Sequence, residues 1–150
     1  MIVADAILAN FGMDKETFIL HMEEGRRNSA LASLGIDYTE LHPDRVVMTM
    51  PVGPKTHQPA GILHGGASVL LAESAASIAS IINIDNQQYA AVGLEINANH
   101  LRSKSDGIVT AVAIPLHKGR KTMVWDIRIT DEQDKLICIS RCTVAIIDKK

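Results

Sequence analysis

Between His57 and Ile82 the chain reads H-Q-P-A-G-I-L-H-G-G-A-S-V-L-L-A-E-S-A-A-S-I-A-S-I-I, and this stretch holds the residues best suited to chemistry. Gly65 and Gly66 open a long apolar helix and carry no Cβ, so a ligand atom can approach their backbone N–H groups. Those groups sit at a helix N-terminus, where unpaired donors and the dipole favour negative charge. A carbonyl oxygen becoming an oxyanion would be stabilised there. A glycine pair that serves only a tight turn is the alternative. Glu73 is the one ionisable residue of the helix, and a carboxylate in such a setting must be solvated, paired or used. It falls at i+7 from Gly66, on the same face, with Ser77 one turn further on and within hydrogen-bonding reach. A carboxylate so placed attacks a carbonyl carbon directly or takes a proton from an attacking water. Its alternative is an ion pair with Arg or Lys at a subunit contact.

The leaving group narrows the reaction. The stretch has no G-x-S-x-G elbow and no Ser-His-Asp order. An amide would need an acid for its departing amine, whereas a thiol of pKa about 8.5 leaves as thiolate. One carboxylate and one oxyanion site therefore suit a thioester. His64 and Gln58 could polarise or orient its carbonyl. His57, His64 and Glu73 lack standard metal-ligand spacing, so no metal site is expected. Arg102 and Lys104 lie in one turn, and Lys118, Arg120 and Lys121 in another around Gly119. Side by side, the two turns would cradle phosphates; separately, they are solvated charged turns. A thioester joined to phosphates describes coenzyme A.

These groups need a scaffold. Asp14 is placed to cap a helix through Met22, interrupted near Gly25, and Ser29–Leu34 forms a shorter helix stopped by Gly35. Ile36–Leu41 and Arg45–Val52 flank the turn His42-Pro43-Asp44. After the long helix, extended runs cover Tyr89–Leu101, Ile108–Leu116, Met123–Thr130 and Leu136–Ile147. Met123, Trp125, Ile127 and Ile129 alternate with Val124, Asp126, Arg128 and Thr130 and predict one buried face. The expected architecture is α+β, a curved antiparallel sheet of about six strands wrapped around one long central helix whose alanines allow close approach. Residues 1–35 are read as an N-terminal helical cover with a packing role, and residues 36–150 as the main unit of a single domain.

Composition excludes other classes. With 150 residues, 47% hydrophobic, 21% charged and a net charge of −2, the chain is globular, and nothing global points to nucleic acid or an anionic membrane. Asp5 interrupts the first apolar run, so no signal peptide is expected, and no membrane span is expected either. Cys138 and Cys142, four apart in a strand and so about 13 Å from each other, cannot pair and fit a reducing cytoplasm.

The stretch from His57 to Ser74 resembles the signature of hotdog-fold acyl-CoA thioesterases, in the group containing 1,4-dihydroxy-2-naphthoyl-CoA thioesterase and one type of 4-hydroxybenzoyl-CoA thioesterase. V-G-L-E-I-N-A-N-H-L-R-S from Val92 and P-L-H-K-G-R from Pro115 are similar to two further motifs of that group. The resemblance runs from about residue 36 to the C-terminus. It implies hydrolysis of an acyl-CoA, with an aromatic acyl group of hydroxybenzoyl or dihydroxynaphthoyl type as the leading reading. Glu73 is then the catalytic carboxylate, Gly65 supplies the oxyanion N–H, Gln58 and His64 position the thioester, and Ser77 supports Glu73 or the water. Gly93, His100, Leu101, Arg102 and Ser103 correspond to coenzyme A contacts, as do His117, Lys118, Gly119, Arg120, Lys121 and Thr122. The active site is expected between two subunits of a homodimer, with Glu73 from one and Gln58, His64 and Gly65 from the other, and with dimers pairing into tetramers. Coenzyme A is part of the substrate, so no separate cofactor is implied. Ala60 departs from a bulkier residue in some relatives and leaves the shape of the acyl pocket open. Two other readings remain: a hydratase or dehydratase of acyl thioesters, and a non-catalytic acyl-CoA-binding module.

Overall fold

Small side chains decide how the long helix is used. In α4 (Gly65–Ile81) the residues Leu71, Ala72, Ala75, Ala76 and Ala79 are wholly buried, while Glu73 on the opposite side is exposed. The alanine side packs against β3 (Arg45–Pro51), β4 (Tyr89–His100), β5 (Ile108–Lys118), β6 (Thr122–Thr130) and β7 (Leu136–Asp148). The computed structural model describes residues 1–149. Its sheet has seven strands in the order β1-β2-β3-β5-β6-β7-β4, with β1 at Ile2–Val3 and β2 at Asp37–His42. Every neighbouring pair is antiparallel except β1 and β2. This is the expected hotdog arrangement, with one strand more than the sequence pattern suggested.

The alternation in β6 is as read, with Trp125, Ile127 and Ile129 fully buried. Trp125 also ties the helix to the sheet: its indole N–H donates to Ser80 Oγ at 2.9 Å, and Ser80 Oγ donates to Ala76 O. Ser80→Ala leaves that buried N–H without a partner and is expected to cost about 1–3 kcal/mol, read as a lower urea midpoint at unchanged slope.

Three local outcomes differ from expectation. A helix not foreseen, α1 (Asp5–Phe11), starts at Ala4 with no side-chain cap. The helix capped by Asp14, α2 (Lys15–Arg27), continues through Gly25 and carries Arg26 and Arg27 in its last turn, where their charge suits the dipole. The pair Ile2–Val3 adds parallel to Glu40–Leu41. The shorter α3 (Ala30–Leu34) runs between Ser29 and Gly35 as predicted. Ile7 and Phe18 belong to the same buried cluster as Leu71 and Trp125, so the N-terminal helices share the main core.

The strand β4 matters most for function. It lies at the edge of the sheet, pairs only with β7, and exposes Val92 and Leu94. Its register shifts between Gly93 and Glu95, so Leu94 is a bulge residue. Gly93 faces Val144, Ile96 faces Cys142, Ala98 faces Ser140 and His100 faces Cys138, all buried partners. The bulge thus turns both Gly93 and His100 toward α4, although seven positions would otherwise put them on opposite faces.

Candidate active site

The site residues fall into two groups at different points along α4. At the N-terminus His64 takes the cap position, and its Nδ1 accepts the Gly66 N–H at 2.8 Å. That bond fixes the neutral tautomer carrying hydrogen on Nε2. It also occupies Gly66, while the Gly65 N–H makes no hydrogen bond among the described residues. Of the two glycines considered as oxyanion donors, Gly65 is the one available. A Cβ on Gly65 would meet His100 Nε2 at 2.7 Å, so the imidazole, the tip of an exposed side chain, would have to turn aside. A cavity of about 300 Å³ opens here, lined by Gln58, Gly65, Ser68, His100, Leu101, Arg102, Ser103 and neighbouring apolar groups.

The loop carrying Gln58 is tied down on both sides. Gln58 N–H donates to Ile62 O, Gly61 N–H to Gln58 O, and His64 N–H to the carbonyl of buried Thr56. Leu63 N–H donates to Lys104 O, and the His57 ring meets Ser105 O at 2.8 Å. Glu132 in turn holds the 104–108 segment, accepting from Lys104 Nζ and Ile108 N–H at 2.6 Å each. Lys104 first and the Ile108 N–H second hold the Glu132 carboxyl down at about 2, against an ordinary 4.5. Because the folded value is the lower one, this support is present above pH 4.5 and is lost as pH falls through about 2. A carbon-detected NMR titration should place Glu132 near that value, and Lys104→Met should move it upward.

The second group surrounds Glu73. A cavity of about 280 Å³ is lined by Leu31, Leu70, Glu73, Ser74, Ser77 and Ile78. Glu73 Oε1 would lie 2.9 Å from a Cβ on Gly93, so glycine in the edge strand leaves the carboxylate the place it occupies. Glu73 is exposed in the single chain, so its solvation is not the problem the apolar helix suggested. Ser77 lines the same cavity but makes no hydrogen bond to Glu73 among the described residues. Burial, then the charges of Glu73 and Glu95, push the nearby Cys142 thiol up to about 11, which leaves it un-ionised and a poor nucleophile.

One expectation is sharpened and one needs correction. Gly66 and Glu73 do share a helix face, but Glu73 lies about 12 Å along the axis from Gly65, too far for both to hold one carbonyl. On β4 the two groups abut Gly93 and His100, roughly 20 Å apart. The basic turns are also separated. Arg102 and Ser103 stand at the Gly65 end, whereas Arg120 and Lys121 line a cavity with Tyr89, Ile146 and Asp148 at the other end of β4. Lys104 is held by Glu132, and Lys118 by Asp44 Oδ1 at 2.5 Å together with Pro43 O and Asn83 Oδ1, so neither is a free phosphate ligand. Gly119 donates to Thr122 O and closes the turn beside His117.

Leu31, Ser74 and Ile78 were not foreseen at the site, whereas Leu70 belongs to the helix face read for Glu73 and Ser77. Leu70, at i−3, shares the face of Glu73, while Ser74 and Ile78, at i+1 and i+5, lie about 100° and 140° around the helix, and nothing in the local sequence pointed to Leu31. Among the described residues no three His, Cys, Asp or Glu converge as metal ligands, and no helix is long and apolar enough to cross a membrane.

Known proteins share this fold and much of this sequence. The sequence profile of the Thioesterase superfamily matches residues 60–138. A 1,4-dihydroxy-2-naphthoyl-CoA hydrolase of Listeria monocytogenes is 50% identical over 118 residues, covering 79% of this chain and 95% of its own. The Escherichia coli protein of the same name is 49% identical over 114 residues, covering 76% and 83%. The crystal structure of a mutant of thioesterase PA1618 from Pseudomonas aeruginosa superposes with a TM-score of 0.84 at 46% identity, covering 87% of this chain and 94% of that one. On these matches the chain belongs to the thioesterase superfamily and is a thioester hydrolase.

Proposed function

We propose that two copies of this chain hydrolyse an aromatic acyl-CoA at sites shared across paired β4 edges, with Glu73 of one subunit acting on a thioester held by Gly65 and Gln58 of the other. The observation that carries this reading is the separation of the two half-sites on one helix, together with an open β4 edge that can bring them together. Antiparallel pairing about a point between Ile96 and Asn97 sets Gly93 against His100 of the partner subunit. The same two-fold brings Glu73, which abuts Gly93, to the Gly65 N–H of the partner subunit, which abuts its His100. It also brings Arg120 and Lys121 toward Arg102 of the partner subunit, rebuilding across two chains the phosphate cradle that one chain lacks. The exposed Val92 and Leu94 would be covered in the process.

In this arrangement the thioester oxygen points at the Gly65 N–H and the Gln58 side chain, and the carbonyl carbon faces the carboxylate. Either Glu73 attacks the carbon, expels the thiolate and forms an anhydride that water then opens, or it removes a proton from the water that attacks. Heavy oxygen from labelled water enters the Glu73 carboxylate by the first route only. His64 serves as the helix cap that leaves Gly65 free, and its Nε2–H remains available to the substrate.

Purified protein with benzoyl- and naphthoyl-type CoA thioesters is expected to release free thiol, followed with a disulfide dye. Loss of enoyl absorbance without thiol release would mark a hydratase instead, and coenzyme A binding without turnover across the panel would mark a binding module.

A further inference from the structure

The cavity at Glu73 does not end at Leu31 and Ile78. On the far side of these two side chains lies a second cavity of about 530 Å³, lined by Phe11, Met22, Leu31, Tyr38, Ile78 and Ile81, with polar groups of α2 at its rim. Leu31 and Ile78 line both spaces and are only half-buried, so they form a partition between them. The first cavity, about 280 Å³, lies at the lower limit for a small-molecule site of about 300–1,000 Å³, and the second lies well within that range. Together they follow α4 from Glu73 to Ile81, about 12 Å along the axis. Tyr38 is 7% exposed, and its hydroxyl makes no hydrogen bond among the described residues. Burial pushes its phenol up from the ordinary value, so the group stays a neutral O–H donor.

Resting on the thioesterase reading above, we propose that the N-terminal helices wall a second acyl chamber, entered between Leu31 and Ile78, which takes acyl groups longer than one ring that carry an oxygen acceptor at the end far from the thioester. The cover is thereby a specificity element and not only packing. Leu31 sets how far the acyl group penetrates, and Tyr38 supplies a donor to its far end. The hydroxyl is unpartnered among the described residues and open to the cavity, so an acceptor on the acyl group can take its hydrogen in place of water.

The test compares kcat/KM for benzoyl-CoA, naphthoyl-CoA and hydroxynaphthoyl-CoA in the wild type, Leu31→Trp, Leu31→Ala and Tyr38→Phe. Leu31→Trp should cut both naphthoyl substrates about tenfold or more beyond any loss for benzoyl-CoA, since one indole fills the partition. Leu31→Ala should shift the preference toward the two-ring substrates. Tyr38→Phe should lower only the hydroxylated substrate, by about 3- to 15-fold, the worth of one hydrogen bond. Equal changes across all three substrates would overturn the second chamber while leaving the thioesterase reading intact. A wild type that releases no thiol from any of them would overturn the thioesterase reading itself.

Discussion

Glu73→Ala should lower kcat for thioester hydrolysis by about 10²–10⁴-fold, the usual span for a lost general base or nucleophile. The prediction separates chemistry from folding because Glu73 is exposed and makes no side-chain hydrogen bond among the described residues. Its nearest neighbour is the edge strand at Gly93, where removal of the carboxylate leaves open space and no unpaired core group. Stability in urea should therefore stay within about 0.5 kcal/mol of wild type. Coenzyme A affinity should hold too, since the basic turns lie elsewhere. Glu73→Gln keeps the volume and removes only the charge, so it should be as slow as Ala. Full turnover by either variant would end the proposed mechanism.

The second large effect is a recovery. Gly65 is the first residue of α4, a position that accepts proline, and His64 before it already has φ −70° and ψ 131°, a conformation a following proline favours. Gly65→Pro consequently removes the free N–H while the helix keeps its other bonds, and should cost about 10²–10³ in kcat. The contact with His100 is to the tip of an exposed side chain that can turn away. Glu73→Ala and Gly65→Pro are each nearly inactive alone. Refolded together in equal amounts, they form mixed dimers in half of all cases. Each mixed dimer holds one site with both defects and one with neither, so activity should return to about a quarter of wild type. If each chain carried a complete site, mixing would restore nothing. The two-fold proposed for β4 stands or falls on that measurement.

Chemistry concentrated in one contiguous segment was legible in the sequence. The glycine pair, Glu73 and Ser77 lie within a single loop and helix, so the 3.6-residue period was enough to place them on one face. Asp14 and Ser29 were legible for the same reason, since a side-chain cap acts over three residues: Asp14 Oδ1 accepts from Thr17 N–H at 2.8 Å. What a period cannot give is distance between elements. The two basic turns sit on connections that read as neighbours, yet the strand order puts β6 and β7 between β5 and β4 and sends the turns to opposite ends of β4. The bulge at Leu94 was hidden because it shows only as a change of partner on β7. The helix α1 lacked a polar cap and merged with the apolar start of the chain, and Leu31 lies about forty residues from the carboxylate whose cavity it closes.

The uneven burial of α4 has a bearing on how such an enzyme can change over generations. Its sheet-facing alanines are wholly buried against five strands, so any enlargement there must be absorbed by displaced backbone and is selected against. The outward side, at Leu70, Ser74, Ser77 and Ile78, meets a cavity, and a substitution there alters volume available to the substrate without disturbing the sheet. A lineage holding this fold can therefore trade one acyl group for another by drift on a handful of outward positions and on the facing Leu31. The catalytic carboxylate and its oxyanion partner stay fixed meanwhile, because the helix that presents them is locked from behind.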